Sequence, residues 1–362
     1  MKKLNWRRLV ALLTAVVLAV SLAACGGGDG GTSDSGSGTG DNDLKIAVVF
    51  SSSGLGDKNM NDMTYEAMLQ AEEELGISFD YTVPPTDNDI EMAARMYVED
   101  GSYDCIFFIA AATGEACKNL AAEFPDQKMM WLDGDVDLPN VCSISTFWPE
   151  QTFLCGVIAG LGTLSDMEKA NDDNVVGCIL AQEQPFLVSG TIGFEAGARY
   201  VNPDVEVLHA TIGSFTDPTT GKEIAVSMYE KGADFIQHIA GGSGLGVFNA
   251  AVEMDRYAFG VGSNQNDIEP DYIVATSLKD VKTIVYNQVK ALLDGTWEPG
   301  LMTIGMKNGG TGYTTEGSNV KIPDEIIKAV EEIKQKVIDG ELVLPSTREE
   351  LEEFLANNKY EK

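Results

Sequence analysis

From Leu44 onward, short apolar runs alternate with amphipathic stretches, and this rhythm limits the fold more than any other feature of the chain. Runs such as KIAVVF, DCIFFIA, KMMWL and VVGCIL have the length and composition of strands that are buried on both faces. Between two of them, Ile90, Ala93, Ala94 and Tyr97 recur at the spacing of one helical face. The pattern predicts an α/β fold built on doubly wound parallel sheets.

The rhythm continues past Trp148 and Pro149 and produces more units than one sheet holds comfortably. We therefore expect two similar lobes, with the chain crossing between them near 147 and again near 275. A short helix is expected to follow Pro345, opened by a capping box at Ser346 and Glu349. The expected division is 44–147 plus about 275–300 for lobe 1, 148–274 plus about 301–345 for lobe 2, and 346–362 for the C-terminal helix.

The N-terminus has the features of an export signal. Four basic side chains lie within the first eight residues, and an apolar run extends from Leu9 to Leu22. The sequence Leu22-Ala23-Ala24-Cys25 follows and resembles a bacterial lipobox, which implies cleavage after residue 24 and acylation of Cys25. The alternative is an uncleaved signal anchor with an incidental cysteine. The first interpretation predicts a lipoprotein on the extracytoplasmic face of the cell membrane.

The segment after Cys25 is rich in Gly, Ser and Asp, so residues 25–43 are predicted to form a flexible tether. The formal net charge is −31, and the first 24 residues contribute +4, which leaves −35 for the rest of the chain. So acidic a surface repels phosphates and anionic lipid head groups, and nucleic acid is therefore not an expected partner.

Polar or glycine-rich loops follow several predicted strands. In open α/β sheets, ligands bind beyond the carboxyl ends of the strands. In a two-lobed protein these loops would face each other across a cleft. The loops span 51–57, 111–114, 133–135, 241–246 and 262–266.

The sequence offers little support for an enzyme. It has two histidines, His209 and His238, without the spacing of a zinc site, and each is expected to be structural. GGSGL lacks the last glycine of a nucleophile elbow, and GGSGLG lacks the spacing of a dinucleotide loop. Asp133, Asp135 and Asp137 suggest either a cation site or a solvated acidic turn. We predict a protein that is not an enzyme and that uses neither a metal nor another cofactor.

Four segments carry a family resemblance: GSFTDPTTGKEIAVSMYEKGADFI, AGGSGLGVF, ATSLKDV and DGTWEPG. They resemble the basic membrane protein family of lipoproteins, of the purine-nucleoside receptor type, from about Leu44 to Pro345. The resemblance implies a two-lobed fold similar to periplasmic binding proteins of type I, with the ligand in a cleft between the lobes. It implies capture of a nucleoside and delivery to the permease of an ABC importer.

The resemblance also implies a set of ligand residues, several of which are substituted here. Met60 stands where the family has a stacking phenylalanine, and Gly190 stands in the place of a second one. Ser51 and Gly262 replace two acids, of which the second is the ribose-binding acid of the family. The positions that match the family are Asp57, Asn61, Asp133, Gly241, Gly242 and Lys279.

Two aromatic residues are candidates to replace the missing rings. Trp148 lies at the first crossing and Phe186 follows Pro185, and each is either a new platform for the ligand or ordinary core. We expect a small polar cargo, with a nucleoside favoured. The alternatives are a different small molecule in the same fold, and a sensor that signals to a membrane partner without import.

Overall fold

The computed structural model describes residues 43–56 and 60–361. The predicted signal peptide, the predicted lipidation site Cys25, the predicted tether before Asp43 and the predicted ligand residue Asp57 lie outside these ranges. Within them, no helix is long and apolar enough to cross a membrane.

The first sheet has six strands, all parallel, in the order β11-β5-β4-β3-β1-β2. Its central strands consist almost wholly of buried apolar residues because helices cover both faces. The strands are β1 (Lys45–Val49), β2 (Ser78–Thr82), β3 (Cys105–Ile109), β4 (Lys128–Leu132), β5 (Val141–Thr146) and β11 (Gly300–Ile304).

Two helices pack on each face of this sheet. One face is covered through Ala67, Met68, Ile284 and Val285, and the other through Ala94, Cys117 and Leu120, among others. Gly101 follows the helix Ile90–Asp100 in the left-handed conformation, with φ 71°, which glycine adopts without strain and which is common at helix C-termini. The helices are α1 (Met60–Leu75) and α8 (Val281–Leu293) on one face, and α2 (Ile90–Asp100) and α3 (Gly114–Glu123) on the other.

The second sheet has the order β12-β10-β9-β8-β6-β7 and is parallel except for β12, which pairs antiparallel with β10. The prediction of two α/β lobes built on parallel sheets is confirmed. The strands are β6 (Val175–Leu180), β7 (Glu206–Thr211), β8 (Ala233–Ile239), β9 (Tyr257–Gly262), β10 (Ile273–Lys279) and β12 (Thr311–Thr314).

Six helices cover this sheet, and the two that pack most closely are α4 (Trp148–Gly162) and α5 (Pro185–Val201). Small residues allow this approach: a Cβ at Gly156 would lie 2.1 Å from the carbonyl oxygen of Phe194. The other helices are α6 (Pro218–Glu230), α7 (Gly244–Met254), α9 (Asp324–Ile338) and α10 (Arg348–Asn357).

The chain passes between the two sheets at Phe147, at Asp280 and at Gly305. The sequence placed the later boundaries near 275 and 300, but strand pairing displaces both by a few residues. Ile273–Lys279 stays in the second sheet because it pairs with β9 and β12. Gly300–Ile304 belongs to the first sheet because it pairs with β5. The division into domains otherwise stays a prediction.

The C-terminal helix begins one residue later than its sequence signal suggested. The capping box is formed by Thr347 and Glu350, not by Ser346 and Glu349. The Thr347 side chain accepts a hydrogen bond from the backbone N–H of Glu350, so the register follows the residue whose hydroxyl reaches that group. This register buries Leu351 and Phe354 against the second lobe.

Candidate functional site

The first ligand loop follows β1 and is braced by its own side chains. Asn61 is buried, and its amide nitrogen donates hydrogen bonds to the Gly54 carbonyl oxygen at 2.8 Å and to Ser51 Oγ at 3.0 Å. Ser51 Oγ also lies 3.0 Å from Ser53 Oγ. Ser51 and Asn61, predicted as ligand residues, therefore contact each other and fix the shape of the loop.

Three predicted site residues from distant parts of the chain meet between the sheets. Lys279 Nζ, at the end of β10, lies 2.5 Å from Asp133 Oδ1 in the loop after β4. The same ammonium donates to Met60 Sδ at 3.6 Å. Lys279 is almost fully buried, whereas Asp133 retains partial exposure. One cation from the second sheet is thus held by an acid and a thioether from the first lobe.

The backbone at Asp133 presents its carboxylate to this cluster. Asp133 has φ 66°, a left-handed conformation that aspartate tolerates better than most residues. Its N–H donates to the Ile144 carbonyl oxygen at 2.8 Å, which ties the turn to the neighbouring strand. Among residues 43–56 and 60–361, no group of three His, Cys, Asp or Glu side chains is arranged to hold a metal ion.

An aromatic corner lies at the carboxyl end of the second sheet. The rings of Trp148 and Phe186 are 5.6 Å apart between centroids and inclined by 43°. A Cβ at Gly190 would lie 3.6 Å from the Trp148 ring and 2.9 Å from Ile239 Cδ1. Trp148 therefore packs directly beside the position where the family resemblance places a phenylalanine. Phe186 is 48% exposed and so has a free surface.

Gly241 and Gly242 follow β8 and have a neighbour that sequence reasoning missed. A Cβ at Gly241 would lie 3.3 Å from Phe215 Cδ1, and the Phe215 carbonyl oxygen accepts a hydrogen bond from the Ser243 N–H at 3.0 Å. Phe215 is more than a third exposed. Phe215 belongs to GSFTDPTTGKEIAVSMYEKGADFI, one of the segments that resemble the family, and this resemblance is the sequence signal that could have indicated it.

Gly262 ends β9 with φ 84°, a region that favours glycine. A buried polar network holds the backbone beside it, since Gln265 Oε1 accepts the Val261 N–H at 2.9 Å and faces His238 Nε2 at 3.2 Å. Burial lowers the pKa of His238 to about 4, so the imidazole is neutral and donates from Nε2. His238 therefore stabilises the backbone beside Gly262 indirectly, through its hydrogen bond to Gln265.

The passages between the sheets are joined by direct contacts. Glu150 Oε2 accepts the Met306 N–H at 2.5 Å, and the Phe147 N–H donates to the Ile304 carbonyl oxygen at 3.0 Å. A groove of about 660 Å³ opens here, lined by Phe147, Glu150, Thr303, Gly305, Lys307 and Asn308. None of the predicted ligand residues lines it, so it adjoins the passages at Phe147 and Gly305 and not the cluster around Lys279.

The sequence matches the model of a known family, ABC transporter substrate-binding protein PnrA-like (Bmp), over residues 44–348. An uncharacterised lipoprotein of Pyrococcus abyssi is 26% identical, covering 98% of this chain and 96% of that protein. A protein of Lactococcus lactis described as ABC transporter nucleoside-binding protein BmpA is also 26% identical, covering 94% of this chain and 99% of that protein.

Solved structures agree with this assignment. The chain superposes on an ABC transporter solute-binding protein of Aeropyrum pernix with a TM-score of 0.69 and 26% identity, covering 87% of this chain and 98% of that one. A transcriptional activator of the comK gene from Bacillus halodurans, at 20% identity, shares the fold with a TM-score of 0.70, covering 83% of this chain and 99% of that one. The chain belongs to the Bmp family of PnrA-like ABC transporter substrate-binding proteins.

Proposed function

We propose that this substrate-binding protein captures a nucleoside in the cleft between its lobes and delivers it to the permease of an ABC importer. The observation that carries the proposal is the meeting of Met60, Asp133 and Lys279 between the two sheets. A ligand held there contacts both lobes at once, as a binding protein that closes around its cargo requires.

The polar groups of the cluster suit the hydroxyls and ring atoms of a nucleoside. The Asp133 carboxylate accepts hydrogen bonds, and the Lys279 ammonium has three hydrogens to donate. Because the two charges balance each other, an uncharged ligand can join the pair without leaving a buried ion unpaired. Of the relatives compared, the Lactococcus lactis protein is described as nucleoside-binding, which supports this cargo.

The aromatic corner supports a flat ring in the ligand. Trp148 packs beside Gly190, where the family has a stacking phenylalanine, and Phe186 adds a second exposed ring. Met60 provides a polarisable thioether at the other substituted position. We propose that these three side chains together replace the two phenylalanines.

A small molecule other than a nucleoside is the second candidate cargo. Gly262 has no side chain, and the Ser51 hydroxyl contacts Ser53 and Asn61. The two family acids that these residues replace are therefore absent from the site. A site altered in this way is less negative and has more room, so it tolerates a larger or an anionic ligand.

A thermal-shift panel of metabolites tests the cargo. A ligand at 100 times its dissociation constant stabilises the folded state by about 2.7 kcal/mol, which raises the unfolding midpoint measurably. We expect at least one of inosine, guanosine and adenosine to do so. If none of the three shifts the midpoint at millimolar concentration, the nucleoside proposal is wrong. A shift by another compound in the panel would then identify the alternative cargo.

We further propose that Cys25 carries the lipid anchor and that the protein acts outside the cytoplasmic membrane without catalysis. Lipoproteins among the relatives support the anchor. Cys25→Ser should release the processed protein from the membrane fraction, and persistence there would contradict the proposal.

Incubation with nucleosides should yield no free base. Growth on the ligand as sole source, with and without the gene, separates import from sensing.

A further inference from the structure

The thioether of Met60 is in direct contact with the buried cation of the site. Met60 begins α1 and is only partly buried against the core of the first lobe. Its Sδ lies 3.6 Å from Lys279 Nζ, which lies 2.5 Å from Asp133 Oδ1. Any change in the chemistry of this sulfur therefore acts on the ion pair that joins the two lobes.

We propose, building on the function proposed above, that Met60 is a site of reversible sulfoxidation that controls ligand binding through Lys279. The oxidant is hydrogen peroxide. Its O–O bond breaks, one oxygen forms a bond to Sδ, and the other leaves as water. The sulfur loses two electrons and the peroxide gains them, and methionine sulfoxide reductases reverse the change.

Oxidation converts the Met60 side chain from a weak hydrogen-bond acceptor into a strong one, and the Lys279 ammonium is a donor already in contact with it. A thioether sulfur accepts hydrogen bonds poorly, whereas a sulfoxide is polar and carries an oxygen. With Sδ at 3.6 Å from Nζ, a rotation of the side chain brings that oxygen within hydrogen-bond distance of Lys279. The sulfoxide then competes with Asp133 and with the ligand for the same ammonium.

The same change removes an apolar surface from the site. Met60 occupies the position where the family resemblance places a stacking ring, and its thioether covers a ring through polarisable contact. The sulfoxide is polar and chiral, so it disrupts that contact. Both effects weaken binding, and we infer that the oxidised protein releases its cargo.

The molecule offers matched controls for this chemistry. Met92 and Met96 are 66% and 71% exposed on α2 and are expected to oxidise readily. The double variant Met92→Leu/Met96→Leu removes these two sites and keeps Met60, whereas Met60→Leu removes the sulfur at the site and keeps the other two. Peptide mass spectrometry before and after peroxide identifies which methionines have gained oxygen.

Adenosine is the probe, and its dissociation constant is measured by calorimetry before and after peroxide. Since each variant is compared with itself, any effect of Met60→Leu on binding cancels. We expect oxidation to weaken binding about tenfold or more in the wild type and in the Met92/Met96 variant, and treatment with the reductases to restore it. In Met60→Leu we expect the dissociation constant for adenosine to be about the same before and after peroxide. An equal loss in Met60→Leu, or no loss with Met60 fully oxidised, would overturn the inference.

A second measurement keeps the two proposals apart. If the unoxidised protein does not bind adenosine, inosine or guanosine replaces it as the probe. If none of the three binds, the nucleoside proposal fails, and the ammonium signal of Lys279 in a ¹⁵N-lysine NMR spectrum decides the role of Met60. We expect this signal to move on oxidation of the wild type and to stay in place in Met60→Leu. An unmoved wild-type signal would contradict the link between Met60 and Lys279.

Discussion

Glu150 Oε2 accepts the backbone N–H of Met306 at 2.5 Å, and this bond ties the first passage between the lobes to the third. Gly305 makes the approach feasible, because a Cβ there would lie 2.3 Å from the same oxygen. Burial raises the pKa of Glu150, although the bond from Met306 opposes the change. The passages between the two sheets thus contain a partly buried carboxylate that accepts a hydrogen bond from the backbone N–H of Met306.

Replacing Glu150 with Ala should destabilise the protein because it leaves the Met306 N–H without its acceptor. We expect the free energy of unfolding in urea to fall by about 1–3 kcal/mol. Glu150→Gln retains an acceptor oxygen and should lose about half as much or less. Gly305→Ala should resemble Glu150→Ala, since the new methyl group displaces the carboxylate. Equal stability of all three variants and the wild type would contradict this role.

The Asp133–Lys279 pair should contribute strongly to ligand affinity. Asp133→Asn and Lys279→Met are each expected to weaken nucleoside binding by about 10- to 100-fold, because each removes a charged hydrogen-bonding partner from the site. The double variant should lose less than the two single changes combined, since the residues act as a pair. Calorimetric titration of the four proteins measures this coupling, and additive losses would show that the residues act independently.

The aromatic corner should contribute to binding a flat ligand. Trp148→Ala and Phe186→Ala are each expected to weaken nucleoside binding by about 0.5–1.5 kcal/mol beyond the loss of buried area. Phe186→Leu serves as the control, because it keeps apolar bulk at the same place but removes the ring. Binding that is unchanged in both alanine variants, measured by calorimetry, would assign the two rings to the core and not to the ligand.

Glu195 should stabilise the attachment of the C-terminal helix at neutral pH. It is buried and hydrogen-bonds His209 at 2.8 Å, Arg199 at 3.1 Å and Arg348 on α10. Burial acts to raise its pKa, but the bonds from His209 and Arg348 outweigh burial and lower the pKa to about 2. We expect Glu195→Gln to reduce the free energy of unfolding at pH 7 by about 3 kcal/mol, because removing one partner of a buried ion pair leaves the others uncompensated.

The sign of the pH dependence follows from the lowered pKa of Glu195. Its contribution is complete above the unfolded value of 4.5 and is lost as the pH falls towards about 2. The difference between wild type and Glu195→Gln should therefore shrink across that range in chemical denaturation. Glu352→Gln is the control, because Glu352 is an exposed partner of Arg199 and should contribute less than about 1 kcal/mol. A constant difference across the range would contradict the assignment.

The pH dependence of the contribution of Asp234 to stability should be opposite to that of Glu195. It is fully buried at the start of β8, and its Oδ2 accepts hydrogen bonds from Thr163 Oγ1 and the Asn171 N–H. Its Oδ1 has no hydrogen-bond partner within the part of the chain that the structure describes. Burial raises its pKa to about 7, although these hydrogen bonds oppose the change. The stabilising contribution of the protonated group is therefore present below the unfolded value of 3.8 and is lost as the pH rises through 7.

Asp234→Asn removes this ionisation and keeps an acceptor for Thr163 and Asn171. We expect the free energy of unfolding of the variant to be higher than that of the wild type by about 1 kcal/mol or more at pH 8, because one pKa unit corresponds to about 1.4 kcal/mol. The difference should become progressively smaller towards pH 4. Thermal denaturation across this range measures the slope. Asp172→Asn changes an exposed acid in the loop before β6 and should show no such trend. A pH-independent difference for Asp234→Asn would be evidence against the ionisation.

The strands that the sequence predicted best are the central ones. KIAVVF and DCIFFIA contain β1 and β3, whose apolar composition reflects burial on both faces. β2 and β11 gave no such signal because each lies at an edge of the first sheet, with exposed residues. The domain boundary near 300 shifted for the same reason, since the partner of the edge strand β11 is chosen by pairing and not by its own composition. The boundary near 275 shifted because β10 pairs with both β9 and β12 and so stays in the second sheet.

The sequence by itself determined the α/β class, the two lobes, the order of the polar loops and the family to which the chain belongs. Only the tertiary structure decided that Lys279 meets Asp133 and Met60, which lie 146 and 219 residues away in the chain. It also decided that Trp148 packs beside Gly190. Local patterns fix which residues share a face, whereas distances between distant segments depend on how sheets and helices pack as a whole.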